Sequence, residues 1–234
     1  MHLPSALDSL RAGLETRAVE ARGAARSRWR RLQGRHGAFA HGEVSARATR
    51  LTELWERRWP GVEPLGHVLR VEHPDRWVRF HSLPESKRCA ENATDDGEIV
   101  RRHRTVLHEL LGSPDSRAFH GVYVVGVDWD WRDLAAGWTK RRLPGAWPWR
   151  SSTPDGDDAP HYFWAVSDRS PQEIDALLLG AADDQCHLVI GAHDLSWLYC
   201  PYDGGADVLL PTEAERDTLR ERHTDWLSPH PGGL

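Results

Sequence analysis

Cysteine is scarce in this 234-residue chain, with Cys89, Cys186 and Cys200, and methionine scarcer still, with Met1 alone. The three thiols are widely spaced and odd in number. That excludes a disulfide framework and a C-x-x-C zinc site, and it reads as reduced core thiols of a cytoplasmic protein. No apolar run approaches the roughly 18 residues of a membrane span, so no membrane partner is expected. The first residues hold no apolar segment of the roughly 7–15 residues that a secretory signal needs. Also missing are G-x-x-x-x-G-K-[ST], G-x-G-x-x-G after a strand, H-E-x-x-H and G-x-S-x-G. Their absence removes the common nucleotide-binding, zinc-protease and α/β-hydrolase classes, and no cofactor is expected. No internal repeat is evident.

Tryptophan is abundant, with 12 against 4 Tyr and 4 Phe. Large aromatics bury much area and also anchor interfaces; most of these are expected in the core. At 39% hydrophobic and 28% charged, the chain suits one soluble domain with an extension. The net charge of −5 conceals an asymmetry. Residues 1–50 hold ten Arg against four acids (Asp8, Glu15, Glu20, Glu43), a surplus of six positive charges, so the remainder carries −11.

The basic end reads as a helical extension over 1–48. Leu7, Leu10, Leu14, Ala18, Ala21, Ala25, Trp29 and Leu32 recur at helical spacing, but the apolar stripe is thin. Arg22, Arg26, Arg28, Arg30, Arg31 and Arg35 cover the rest. Such an arm can touch nucleic acid or an acidic surface, or simply be a solvated helix. Residues 34–42 read as a linker.

The body, 49–234, reads as a single α+β domain. Leu51, Leu54, Trp55 and Trp59 predict a helix ending at Pro60. His67–Glu72 and Trp77–His81 alternate around a His-Pro-Asp turn and predict a hairpin. Ser82 and Glu85 have capping-box spacing, and Ile99 to Leu111 forms an amphipathic helix closed by Gly112. Strands are expected at Gly121–Val127, His161–Val166 and Cys186–Gly191, with a helix from Ser170-Pro171-Gln172-Glu173 to about Ala182. Residues 128–158, rich in Trp, Arg, Pro and Asp, show no clean period and are expected as a long loop. Trp197–Tyr202, the Asp203-Gly204-Gly205 turn and Ala206–Leu210 predict a second hairpin. A helix capped by Thr212 and Glu215 follows, to about Leu227. Strand pairs on short turns favour a mainly antiparallel sheet with helices packed on one face.

Three groups of residues carry candidate chemistry. Ser82, Lys87 and Arg88 (with His81 and Glu85 beside them) sit at a strand-to-helix junction where an anion can bind; the plainer reading is a capped turn with solvated cations. Asp203 and Asp207 flank the glycine pair, with His193 as a third group. They can hold a divalent metal or serve as acid and base, although an Asp-Gly turn needs no such explanation. Asp128, Asp130, Asp155, Asp157 and Asp158 interleave with Trp129, Trp131, Trp147 and Trp149. That stretch can dock on a basic partner, or be an ordinary solvated loop. His161, His187 and His193 lack paired spacing and read as core or rim residues.

The stretches 51–92, 102–111 and WLYCPYDGGADVLLP (197–211) resemble one of the numbered bacterial domains of unknown function. Members of that family end in a strand–PYD–Gly–D–strand hairpin and a terminal helix. The resemblance spans about 51–227 and implies no activity; Gly204-Gly205 stands where an Arg-Gly pair is common. The expectation is therefore a non-enzymatic cytoplasmic domain that binds another protein through an acidic, Trp-rich surface, as an immunity or antitoxin protein would. The rival expectation is a small metal-dependent hydrolase using Asp203, Asp207 and a His.

Overall fold

The computed structural model describes residues 45–112, 119–153 and 160–228. The basic extension expected over 1–48 lies outside them except for its last four residues, as do Asp155, Asp157 and Asp158. Among the described residues, seven strands form one antiparallel sheet and seven α-helices pack around it, an α+β fold. The strands are β1 (Trp77–His81), β2 (Phe119–Asp128), β3 (Trp147–Ser152), β4 (His161–Arg169), β5 (Leu188–Ala192), β6 (Leu198–Tyr202) and β7 (Gly205–Leu209). Their order across the sheet is β1-β7-β6-β5-β2-β4-β3.

Local signals start the helices. Ser45 caps α1 (Ala46–Arg58) by accepting from the Ala48 amide. Asn92 caps α3 (Ala93–Leu111) by accepting from the Thr94 and Asp95 amides. Ser170 and Glu173 close a reciprocal capping box on α6 (Pro171–Ala182), satisfying two amides that the helix itself cannot. Thr212 caps α7 (Glu213–Arg222), after which a 3-10 turn holds Thr224–Trp226.

Alternation along the strands sorts the core into two layers. Val78, Phe80, Val122, Val124, Ile190, Tyr199 and Val208 meet Val106 and Leu107 of α3, Ile174 and Leu178 of α6, and Leu219 of α7. On the other face, Val125, Val127, Phe163, Val189, Cys200 and Leu209 meet Leu51 and Trp55 of α1 and Leu69 of α2 (Gly66–Glu72). Full burial of one such Leu stabilises by about 1.5–3 kcal/mol. Two of the buried indoles keep their hydrogen bond inside the core. Trp55 donates to the Val62 carbonyl at 2.8 Å, and Trp59 to that of Leu195 at 3.0 Å.

Helices thus cover both faces, where one was expected. The reason is α2. Residues 66–72 are helical, not a strand, because β1 pairs with β7, Trp77 against Leu209 through His81 against Gly205. That leaves 66–72 no ladder to join, while Leu65 and Leu69, one turn apart, are both buried. The expected loop over 128–158 is also largely structured. It contains α4 (Trp131–Ala136), α5 (Trp138–Arg142) and β3. β3 tolerates Pro148 as an edge strand with a bulge between Pro148 and Arg150.

In the β6–β7 hairpin, Tyr202 pairs with Gly205, so Asp203 and Gly204 alone make the turn. Gly204 carries the positive φ of 101°. Gly205 is needed for another reason: a Cβ there would lie 2.2 Å from the Phe80 carbonyl oxygen of β1.

Candidate functional site

Where α2 leaves the sheet, a cleft of about 270 Å³ opens. Val125, Val127 and Val189 from the central strands form its apolar floor, and His67 and Arg70 reach over it from α2. Arg79, Tyr202 and Asp207 line one side, Trp129 and His187 the other. β1 and β7 fix the first group, since Arg79 and Asp207 are direct cross-strand partners.

Asp207 is 3% exposed and its carboxylate is nearly saturated. Oδ1 accepts from Trp77 Nε1 at 2.9 Å and Arg79 Nε at 2.8 Å, while Oδ2 accepts from Arg79 Nη2 at 3.1 Å. Arg70 stands 3.6 Å from Oδ2 as a second cation, beyond hydrogen-bond reach. The Arg79 guanidinium also lies 4.8 Å from the centre of the Tyr202 ring. Burial pushes the Tyr202 hydroxyl well above the usual phenol range, and the Cys200 thiol in the floor well above the usual thiol range. A thiol so raised is a packing group, not a nucleophile.

Trp129 closes the far end among three imidazoles. Its ring meets His161 and His187 edge-on, each at 5.0 Å, and lies 5.9 Å from His67. Burial first, then the charge of Arg70, holds His67 below the ordinary histidine range. His161 faces Glu63 at 3.2 Å. Beyond Trp129 and His187 a second cavity of about 550 Å³ continues, lined by Trp138, Thr139, Arg142 and Asp184 among others. Trp138 stands at its edge, 50% exposed, with the Arg141 guanidinium 4.9 Å from its ring centre.

The expected metal group is not assembled. Asp207 is spent on Arg79 and Trp77, Asp203 is paired with Arg88, and His193 lies past the other end of β6, stacked on Tyr123 at 4.9 Å. No group of three metal-ligating side chains gathers among the described residues. The anion group does not converge either. Ser82 is buried and does not cap a turn, Lys87 pairs with Glu91 and Asp95, and Arg88 is taken by Asp203.

The acidic, Trp-rich surface is corrected in part. Asp128 is 1% exposed. It accepts from Thr139 Oγ1 at 2.7 Å and Trp164 Nε1 at 2.8 Å, and burial pushes its carboxyl above the usual carboxylate range. Asp130 caps α4 by accepting from the Arg132 and Asp133 amides. Trp149 is buried against Trp55 and Phe163 and donates to Thr52. Trp129 and Trp147 are half-buried; Trp131 begins α4. Sequence reasoning passed over Arg70, Arg79 and Trp138. For Trp138, the run Trp-Thr-Lys-Arg-Arg was a usable signal, since three cations on five residues keep a segment at the surface. Arg70 and Asp207 meet only through the fold.

A family model described as Domain of unknown function (DUF3885) matches residues 65–231, and the chain belongs to that family. The match begins just before α2, so it takes in the cleft and leaves α1 out. No curated protein and no solved structure matches.

Proposed function

We propose, from the geometry alone since the family's description assigns no activity, that this domain acts by binding another protein. The observation that carries the reading is Trp138. It is half exposed beside a 550 Å³ cavity, and Lys140 and Arg141 of the same short helix are exposed with it. An indole left in water costs free energy that packing in the core would recover, whereas aromatic anchors ringed by polar groups are the side chains that carry interface affinity. The acidic and thiol groups of the two cavities support binding over turnover: Asp128 and Asp207 are spent on internal donors, and burial deactivates the Cys186 thiol, pushed up to about 11.

The partner's charge follows from which side chains remain at the surface. With Asp128 in the core and Asp130 in a cap, the exposed charges beside Trp138 on α5 are cationic. The partner surface we propose is therefore acidic around an apolar pocket that takes the indole, the reverse of the basic partner expected for an immunity-like protein. The test is affinity capture with the full chain from its own cells, followed by titration of the purified candidate against wild type, Trp138→Ala and Lys140→Glu/Arg141→Glu. Loss of about tenfold or more in affinity for each variant, with the fold intact, is the expected result. A partner that binds both variants as tightly as wild type refutes the reading.

A further inference from the structure

The cleft under α2 sets a guanidinium with unspent donors beside an apolar floor. Arg79 is bonded twice to Asp207. Among the described residues, Arg70 makes only the 3.6 Å ion pair with that carboxylate. Asp207 is also the only acidic residue in the lining. Two guanidiniums against one carboxylate leave a single positive charge at the wall of a cavity floored by Val125, Val127 and Val189.

We propose that this cleft binds a small organic monocarboxylate, its carboxylate on Arg70 and its apolar body on the valine floor beside Trp129. Charge and shape select this class. A monoanion balances the one unmatched cation, whereas a phosphate dianion would bring a second negative charge next to the Asp207 carboxylate and leave the cleft with a net negative charge. The planar fork of a guanidinium matches two carboxylate oxygens. The floor offers no polar side chain to a body lying on it; the indole of Trp129, met edge-on by His161 and His187, supplies a flat apolar wall. The cleft is shared with neither Trp138 nor α5, so this site stands or falls separately from the protein interface.

The experiment is calorimetry and amide NMR on the full chain with four probes: benzoate, 3-methylbutanoate, benzamide and inorganic phosphate. At least one carboxylate is expected to bind saturably and to shift the Gly66, His67 and Val189 amides. Benzamide and phosphate are expected to bind at least about tenfold more weakly, and Arg70→Met to lose about tenfold for the carboxylate with an unchanged melting temperature. If Arg70→Met does not fold, the carboxylate-to-benzamide ratio on wild type decides alone. Equal binding of benzamide would make the cleft merely apolar, and equal binding of phosphate would make it an unselective cationic patch. Either result overturns the proposal, as do full carboxylate affinity in folded Arg70→Met and the absence of saturation by both carboxylates up to about 10 mM.

Discussion

Replacing Asp207 by Ala should lower the stability of the whole domain through the loss of one buried counterion. The Asp207 and Arg79 side chains are 4% and 10% exposed, and the carboxylate answers three N–H groups from two side chains. Removing one partner of a buried pair costs about 3–5 kcal/mol, most of it the penalty of the stranded charge. Arg79 keeps some compensation from the Tyr202 and Trp77 rings, 4.8 and 5.4 Å away, worth about 1 kcal/mol. The net expectation is therefore about 3 kcal/mol. With a urea m-value of about 3 kcal/mol/M, the unfolding midpoint should fall by about 1 M at unchanged m. Urea titration followed by circular dichroism measures it. Asp207→Ala combined with Arg79→Leu should recover at least about 2 kcal/mol, because the stranded charge is then gone. A single variant costing under about 1 kcal/mol, with no coupling in the double, would refute the assignment of Asp207 as a structural counterion.

Gly205→Ala puts a methyl 2.2 Å from the backbone oxygen of Phe80, and a backbone atom cannot swing away. A cost of about 1–3 kcal/mol in thermal or urea unfolding is expected. His103 is fully buried, its Nδ1 2.5 Å from the Tyr199 hydroxyl, and burial lowers it from 6.5 to about 4. Since the unfolded chain takes up that proton at 6.5, its stability contribution is complete above pH 6.5 and is lost as pH falls towards 4. His103→Leu should flatten that limb of a stability–pH curve while costing about 1–3 kcal/mol at neutral pH for the stranded Tyr199 hydroxyl. Glu98 is held down to about 2, first by its bond to Arg101 and then by Arg102, from a usual 4.5. Its contribution is present above pH 4.5 and lost as pH falls towards 2, so Glu98→Gln should remove acid sensitivity in that lower window, read by melting temperature against pH.

The helix expected from Ile99 starts six residues earlier, at the Asn92 cap, whereas the helix starts at Ser170 and Thr212 were legible because a cap is a transaction between residues three apart. The β6–β7 hairpin was legible for the same reason, though Gly205 answers to Phe80 of β1 and not to the turn. Residues 66–72 were misread because apolar alternation in a seven-residue segment fits a strand as well as a short helix. What decides is the ladder between Trp77–His81 and Gly205–Leu209, about 130 residues apart in the chain. The 128–158 stretch hid α4 and α5 because helices of six and five residues are too short to show a period. Of the candidate site, composition pointed to tryptophan only as a residue type. It could not tell Trp149, whose N–H finds Thr52 in the core, from Trp138, which faces out. Nor could it show that Asp128 would be drawn inward by Thr139 and Trp164. The cleft cations were invisible for a simpler reason: Arg70, Arg79 and their counterion Asp207 lie on three elements.

Photo-cross-linking in living cells asks most directly whether this domain is a protein-binding one. A photoreactive phenylalanine would stand at position 138, and as control at Val71, the other well-exposed large apolar residue on the described surface, 69% exposed. The account predicts one dominant adduct from position 138, absent from position 71 and abolished by Lys140→Glu/Arg141→Glu. No adduct at 138, or the same adducts from both positions, would contradict it.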